Sequence, residues 1–122
     1  MKKVSLLVAG GALAATLVIA APALAESGFE SSISGANAGF LSRVWYDNNY
    51  DNVSTNIYFS GCDRANQEVG LFRQVPGFDP NLGTKTLCSN RKGYWGDLNA
   101  DDYRFKLMSG SNIDINFVAV NY

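Results

Sequence analysis

The chain has 122 residues, of which 47% are hydrophobic and 12% aromatic, a formal net charge of −1 and no histidine. Without histidine, Ser–His and Cys–His nucleophile pairs are excluded, and the commonest metal ligand and usual general base of neutral-pH hydrolysis are missing. No basic cluster is longer than the pair Arg91-Lys92, so a surface that follows the phosphates of a nucleic acid is not expected.

Residues 1–25 have the layout of a bacterial-type signal peptide. Two lysines precede an apolar run over residues 4–21, Pro22 ends that run, and the sequence Ala-Leu-Ala offers the small side chains needed before a cut. The alternative is an uncleaved membrane anchor, because the run is about as long as a membrane span. We predict cleavage, which leaves a single secreted domain over residues 26–122, extracellular or periplasmic, with no membrane span.

Cys62 and Cys88 are the only cysteines. In an exported chain an even pair predicts a disulfide bond, whereas free thiols are rare in an oxidising compartment. The bond would close a loop of about 27 residues and stabilise the fold by about 3.5 kcal/mol through the entropy of the unfolded chain.

Short runs of β-branched and aromatic residues, broken by Gly, Asn, Asp and Pro, follow the signal. They cover residues 29–33, 40–46, 55–60, 69–75, 84–88, 94–95, 103–107 and 113–122. Seven or eight short strands in so small a chain predict an all-β, antiparallel β-sandwich, immunoglobulin-like or jelly-roll-like, with a barrel as the second choice.

The clearest alternation lies in residues 103–107, where Tyr, Phe and Leu are predicted to point one way and Arg104 and Lys106 the other. The alternation of residues 113–122 is blurred after Phe117, which predicts a bulge or burial on both faces. The oligomeric state is open, although this last strand is a candidate edge for pairing.

Asn99 and Tyr103 have the spacing of a local turn with known geometry. This segment resembles the turn that enters a late strand of immunoglobulin-like sandwiches, in which a tyrosine hydroxyl bonds back to the turn. The resemblance covers about eight residues and lacks the cysteine and tryptophan frame of those domains. It implies a sandwich and no particular family.

The sequence W-x-D-x-N-x-D occurs twice, in residues 45–51 and 95–101. Alternate oxygen-bearing side chains in a loop can surround a hard cation, as in the opening of an EF-hand calcium loop. The candidate calcium ligands are Asp47, Asn49, Asp51, Asp97, Asn99 and Asp101, in one site per loop or in a shared site if the loops meet. Both loops lack the glycine and the late acid of that calcium loop. Tight turns, which Asp and Asn favour because they bond their own backbone, are the competing interpretation.

Aromatic residues flank the same two loops. The candidate ligand-binding residues are Trp45, Tyr46, Tyr50, Tyr94 and Trp95, since rings stack on sugar faces while carboxylates and amides bond hydroxyl groups. The competing interpretation places rings in the core and is favoured for the two tryptophans. Tyr46, Tyr50 and Tyr94 are the better candidates for exposure.

These patterns predict a non-enzymatic binding protein that needs no cofactor and recognises an extracellular glycan or cell-envelope component. A small secreted effector, either a protein inhibitor or an antimicrobial factor, is the alternative. Its candidate contact is the proline-stiffened segment 74–80, which would lose little entropy on binding a protein partner. A glycosidase carboxylate pair needs no histidine, but so short a chain leaves little room for a substrate cleft beside a core.

Overall fold

All the regular structure in the described residues is β-strand. The computed structural model describes residues 27–64, 66–88 and 91–122, so the predicted signal peptide and Glu26 lie outside it. The strands are β1 (Gly28–Ala36), β2 (Trp45–Asp47), β3 (Asn56–Cys62), β4 (Gln67–Arg73), β5 (Asn81–Leu87), β6 (Lys92–Tyr94), β7 (Asp101–Leu107) and β8 (Ile113–Asn121). This confirms the predicted all-β class.

The strands form two antiparallel four-stranded sheets, which we call sheet A and sheet B. Sheet A has the order β1-β8-β3-β6 and sheet B the order β2-β7-β4-β5. The nested pairs β1–β8, β2–β7, β3–β6 and β4–β5 are all hydrogen-bonded, which is the jelly-roll arrangement of a β-sandwich. The structure therefore decides between the two predicted kinds of sandwich. The last strand lies between β1 and β3, so its predicted role as a free edge is wrong.

The core lies between the sheets and follows the predicted alternation in β7. Tyr103, Phe105 and Leu107 are at most 2% exposed, while Arg104 and Lys106 are partly exposed. Strand β8 shows the predicted irregularity. Its buried positions change from odd to even numbers between residues 115 and 118, where its register against β1 shifts. The bulge keeps both halves of the strand facing the core.

The predicted strand over residues 40–46 is much shorter in the structure. Only β2 is regular, and Leu41 forms an isolated bridge with Lys106. The Phe105 amide donates to the Ser42 hydroxyl at 2.9 Å. The Ser42 hydroxyl thus accepts a hydrogen bond that a backbone carbonyl would accept in a regular pair of strands. The regular pairing of this segment with β7 is interrupted there.

The Cys62–Cys88 disulfide is present, as predicted. Cys62 ends β3 in sheet A, and Cys88 directly follows β5 in sheet B. The bond therefore joins the two sheets at one end of the sandwich, where the Cys88 side chain is buried.

Candidate functional site

Three strand connections meet at the end of the sandwich opposite the disulfide. They are residues 48–55, 74–80 and 95–100, which we call the loop end. Asp47 at the end of β2 pairs with Asp101 at the start of β7, and Tyr94 at the end of β6 pairs with Asn56 at the start of β3. The Gln74 amide donates to the Asp102 carbonyl at 2.9 Å, which brings the third connection to the same end.

The two W-x-D-x-N-x-D segments lie against each other at the loop end. The Thr55 amide donates to the Gly96 carbonyl at 2.8 Å, and the Trp95 amide donates to the Thr55 carbonyl at 2.9 Å. With the Asn49 amide oriented to satisfy its hydrogen bonds, its nitrogen donates to Asp97 Oδ1 at 2.8 Å and to the Leu98 carbonyl at 3.2 Å. The repeated sequence therefore builds one continuous surface from two loops.

The acids of the first repeat hold its own backbone. Asp47 is 4% exposed. Its Oδ1 accepts the Asn49 amide at 2.8 Å and its Oδ2 accepts the Thr55 hydroxyl at 3.4 Å. Asp51 Oδ1 accepts the Val53 amide at 3.0 Å. These contacts are typical of tight turns in which Asp side chains bond nearby backbone, the alternative to calcium binding. Asn49 in this turn has a φ of 56°.

The two acids of the second repeat, Asp97 and Asp101, are also engaged. Asp97 accepts the Asn49 amide group, and Asp101 Oδ1 accepts the Asp102 amide at 2.8 Å. Asp101 Oδ2 lies 3.8 Å from Arg73 Nε. Among residues 27–64, 66–88 and 91–122, no three acidic or cysteine side chains are grouped so as to hold a metal ion. Calcium binding at these loops stays a prediction.

Both tryptophans of the repeats pack inward. Trp45 is 2% exposed, and its ring centroid lies 5.7 Å from that of Phe29 and 5.8 Å from that of Tyr122. Trp95 is half-buried, donates from Nε1 to the Gly83 carbonyl at 2.9 Å and lies under the Lys85 ammonium at 5.7 Å. Trp45 is therefore a core residue, and Trp95 is partly covered by its neighbours.

The three tyrosines are exposed, as the sequence suggested. Tyr46 is 52% exposed, Tyr50 is 83% exposed and Tyr94 is 55% exposed. Tyr46 lies between the buried Trp45 and Asp47, so it is on the outer face of sheet B, whereas Tyr94 is on the outer face of sheet A. The tyrosines therefore surround the loop end on both sides and do not form one flat platform.

An amide pair lies beside Tyr94, and its member Asn56 is only 7% exposed. Asn56 pairs with Tyr94 on one side and with Asn121 on the other, so the three residues form a row across sheet A. Asn121 Nδ2 donates to Asn56 Oδ1 at 3.3 Å, and Asn56 Nδ2 donates to the Ser54 carbonyl at 3.0 Å. Neither amide could be identified from the sequence, because only strand register brings residues 56, 94 and 121 together.

Phe78 adds a fourth exposed ring to the loop end, with 73% of its surface exposed. Its connection is braced by Asp79, whose Oδ2 accepts from Gln74 Nε2 at 3.0 Å and from Arg104 Nη2 at 3.3 Å. The sequence indicated a stiff contact segment here. It did not indicate that this segment shares an end of the sandwich with the two repeats, which depends on the jelly-roll strand order.

Tyr103 fixes the second repeat to the core. Its hydroxyl donates to the Asn99 carbonyl at 2.5 Å, the contact that the immunoglobulin-like resemblance implied. Burial raises the pKa of Tyr103 from 10.0 to about 12; the charges of Asp101 and Asp47 add to the rise and that of Arg73 opposes it. The turn in which a tyrosine hydroxyl bonds back to a preceding carbonyl, known from immunoglobulin-like sandwiches as the tyrosine corner, thus occurs here within a jelly roll.

Tyr103→Phe is expected to lower the free energy of unfolding by about 1–2 kcal/mol at pH 7, because the Asn99 carbonyl loses its donor. The substitution should also remove the part of the pH dependence of folding stability that comes from the ionisation of Tyr103. The unfolded tyrosine ionises near pH 10 and the folded one near pH 12, so the unfolded state loses its proton first as pH rises. The contribution of Tyr103 is fully present below about pH 10 and is lost towards pH 12.

Denaturant titrations of both proteins between pH 8 and 12 measure this effect. The wild-type protein should lose more stability over that interval than Tyr103→Phe. Equal losses would show that Tyr103 ionises alike in the folded and unfolded states.

Comparisons with known proteins do not place the chain in a family. No protein-family model matches it, and no curated protein matches it significantly. Within the part of the chain that the structure describes, there is no helix with the length and apolar character needed to cross a membrane.

Proposed function

We propose that the chain is an exported, non-enzymatic binding protein whose loop end recognises an extracellular glycan or a component of the cell envelope. The observation that carries the proposal is the joining of the two W-x-D-x-N-x-D segments into one surface surrounded by Tyr46, Tyr50 and Tyr94. Tyrosine offers a flat apolar ring with a polar tip, and all three of these side chains are more than half exposed.

The loop end is organised before any ligand arrives. Asp47 and Asp51 accept backbone amides within the first loop, and Asn49 joins that loop to Asp97 of the second. Tyr103 holds the base of the second loop. Binding to such a surface costs little loop entropy, which favours affinity.

Several features favour binding over hydrolysis. Asp47 and Asp51 hold turns, and Asp101 contacts the Asp102 amide and Arg73. The chain has no histidine to act as a base. A glycosidase would need two carboxylates facing one bound sugar, whereas these acids are engaged with neighbouring groups of the protein.

Export of the domain remains part of the proposal. The disulfide between Cys62 and Cys88 suits an oxidising compartment, either extracellular or periplasmic. Cleavage after residue 25 would leave eight basic and eleven acidic residues, so the exported domain would carry a net charge near −3. A net negative surface disfavours polyanionic partners such as nucleic acid.

Tyr50→Ala and Tyr94→Ala should each weaken glycan binding about fivefold or more, because exposed tyrosines at a recognition surface commonly contribute more than about 1 kcal/mol. Retention on a panel of insoluble cell-wall and storage polysaccharides, followed by calorimetry with the retained polymer, measures the effect. Both substitutions are at exposed positions, so the melting temperature should stay near that of the wild-type protein.

Met108→Ala is the matched control, since Met108 is 36% exposed and directly follows the end of β7 that lies opposite the loop end. It should bind like the wild-type protein. Unchanged retention of a Tyr50→Ala/Tyr94→Ala double variant would overturn the proposed function.

A protein partner is the second candidate function, and Phe78 is the observation that favours it. A ring that is 73% exposed on a braced, proline-flanked connection suits insertion into a pocket of another protein. Affinity capture from culture medium with wild-type and Phe78→Ala proteins separates the two candidates. A stoichiometric partner that is lost with Phe78→Ala but kept with Tyr94→Ala would favour a secreted effector.

A further inference from the structure

The sandwich has an opening on its side, between β1 and the segment that leads into β2. A cavity of about 130 Å³ lies there. Phe105 of β7 and Val118 of β8 line it, so the cavity reaches between the two sheets. The complete lining is Phe29, Ser31, Ser32, Ile33, Phe40, Ser42, Arg43, Phe105 and Val118.

The interior of this side cavity is apolar. Ile33, Phe105 and Val118 are each at most 6% exposed, and Phe40, which is 38% exposed, forms part of the wall. An engineered protein cavity of about 150 Å³ with comparable walls holds benzene. The side cavity therefore has room for a phenyl ring or for a chain of about four to six carbons.

The opening carries one positive charge and no negative one. Arg43 is the only ionisable residue in the lining, and its guanidinium lies 4.5 Å from the centre of the Phe29 ring. Neither ion pair in the described residues includes Arg43. The stacked ring orients the guanidinium, while its N–H groups, which carboxylates accept in pairs, remain free of a carboxylate among those residues.

Two of the three serine hydroxyls in the lining donate to backbone carbonyls. Ser31 Oγ donates to the Ser32 carbonyl at 3.3 Å, and Ser42 Oγ donates to the Arg43 carbonyl at 2.8 Å. Ser42 Oγ also accepts the Phe105 amide, so it is engaged in both directions. The Arg43 guanidinium is the only charged group in the lining, so it is the group that favours an anionic ligand over a neutral one.

We infer that the side cavity binds a short apolar monocarboxylate, with its ring or alkyl chain between the sheets and its carboxylate on Arg43. The volume of the cavity limits the apolar part of the ligand to one ring or a short alkyl chain. The positive charge of Arg43, which has no ion pair among the described residues, favours a carboxylate as the polar part. This site is separate from the loop end, so it stands whether or not the loop end binds a glycan.

Titration of the isotope-labelled full-length domain, followed by backbone amide chemical shifts, tests the inference. The probes are 3-phenylpropionate, its neutral amide 3-phenylpropanamide, and acetate, each added to tens of millimolar. We expect 3-phenylpropionate to give saturable shifts at residues 31–33 and 42–43 and to bind about tenfold more tightly than the amide. Acetate should not saturate, because it lacks the apolar part.

Arg43→Gln should remove the preference for the carboxylate, and Arg43→Lys should keep part of it because the charge remains. Lys92→Gln is the control, since it removes an exposed charge on β6, at the opposite edge of sheet A from β1. Equal affinity for acid and amide, shifts confined to the loop end, or an unchanged preference in Arg43→Gln would each overturn the inference.

Discussion

Trp45→Ala is expected to lower the free energy of unfolding by about 3–5 kcal/mol, the usual cost of removing a large aromatic side chain from a core. The indole is 2% exposed and contacts the rings of Phe29, Tyr103 and Tyr122. Domains of this kind are about 5–15 kcal/mol stable in total. Thermal unfolding followed by circular dichroism should show a fall in melting temperature of at least about 12 °C.

Two variants make this result specific. Tyr46→Ala changes the next residue of the same strand, which is 52% exposed, and should shift stability by only about 0.5 kcal/mol. Trp45→Phe keeps a ring in the core and sacrifices no hydrogen bond to the residues that the structure describes, since Trp45 Nε1 has no hydrogen-bond partner among them. Its loss of stability should be intermediate. A Trp45→Ala protein that melts like the wild type but no longer binds glycan would return Trp45 to the ligand-binding residues.

Removal of the disulfide in a Cys62→Ala/Cys88→Ala variant is expected to cost about 3.5 kcal/mol. The cysteines are 26 positions apart, and opening a loop of this length releases the corresponding entropy to the unfolded chain. For a domain of about 100 residues, this corresponds to a fall of about 15–25 °C in melting temperature. The double variant avoids leaving a single thiol beside the core.

A reductant supplies the internal control for this prediction. It should lower the melting temperature of the wild-type protein towards that of the double variant, and it should leave the double variant unchanged. A double variant that melts within a few degrees of the oxidised wild-type protein would show that the jelly roll needs no covalent link between its sheets.

Local patterns in the sequence predicted the parts of this fold that depend on local physics. The alternation of residues 103–107 placed Tyr103, Phe105 and Leu107 in the core because a strand alternates its faces. The spacing of Asn99 and Tyr103 predicted a hydrogen bond that is present. The cysteine pair predicted the disulfide without reference to strand order.

The order of the strands in the two sheets could not be predicted from local patterns in the sequence. Nothing in residues 113–122 shows that they form an inner strand between β1 and β3, since a buried inner strand and an edge strand can have similar sequences. The shortness of β2 depends on a contact between Ser42 and Phe105, which are 63 positions apart. Long-range contacts of this kind are set by the whole chain.

The candidate site also combines features that local sequence patterns predict with features that depend on long-range contacts. Exposure of Tyr46, Tyr50 and Tyr94 could be predicted from their polar, turn-rich surroundings. The burial of Trp45 fits the general tendency of tryptophan. The side cavity could not be predicted, because its walls come from four separate parts of the chain that meet only when the sheets pack.

The nested strand order has a consequence for how the protein is made. Each sheet is joined through a late strand: β7 lies between β2 and β4, and β8 lies between β1 and β3. A growing chain that ends before residue 101 has neither of these strands, so its earlier strands lack the neighbours that complete the sheets. Folding must therefore wait for the last residues, which favours slow, non-local folding. If the domain is exported as proposed, segments that cross the membrane ahead of residue 101 would stay unfolded until β7 and β8 follow them.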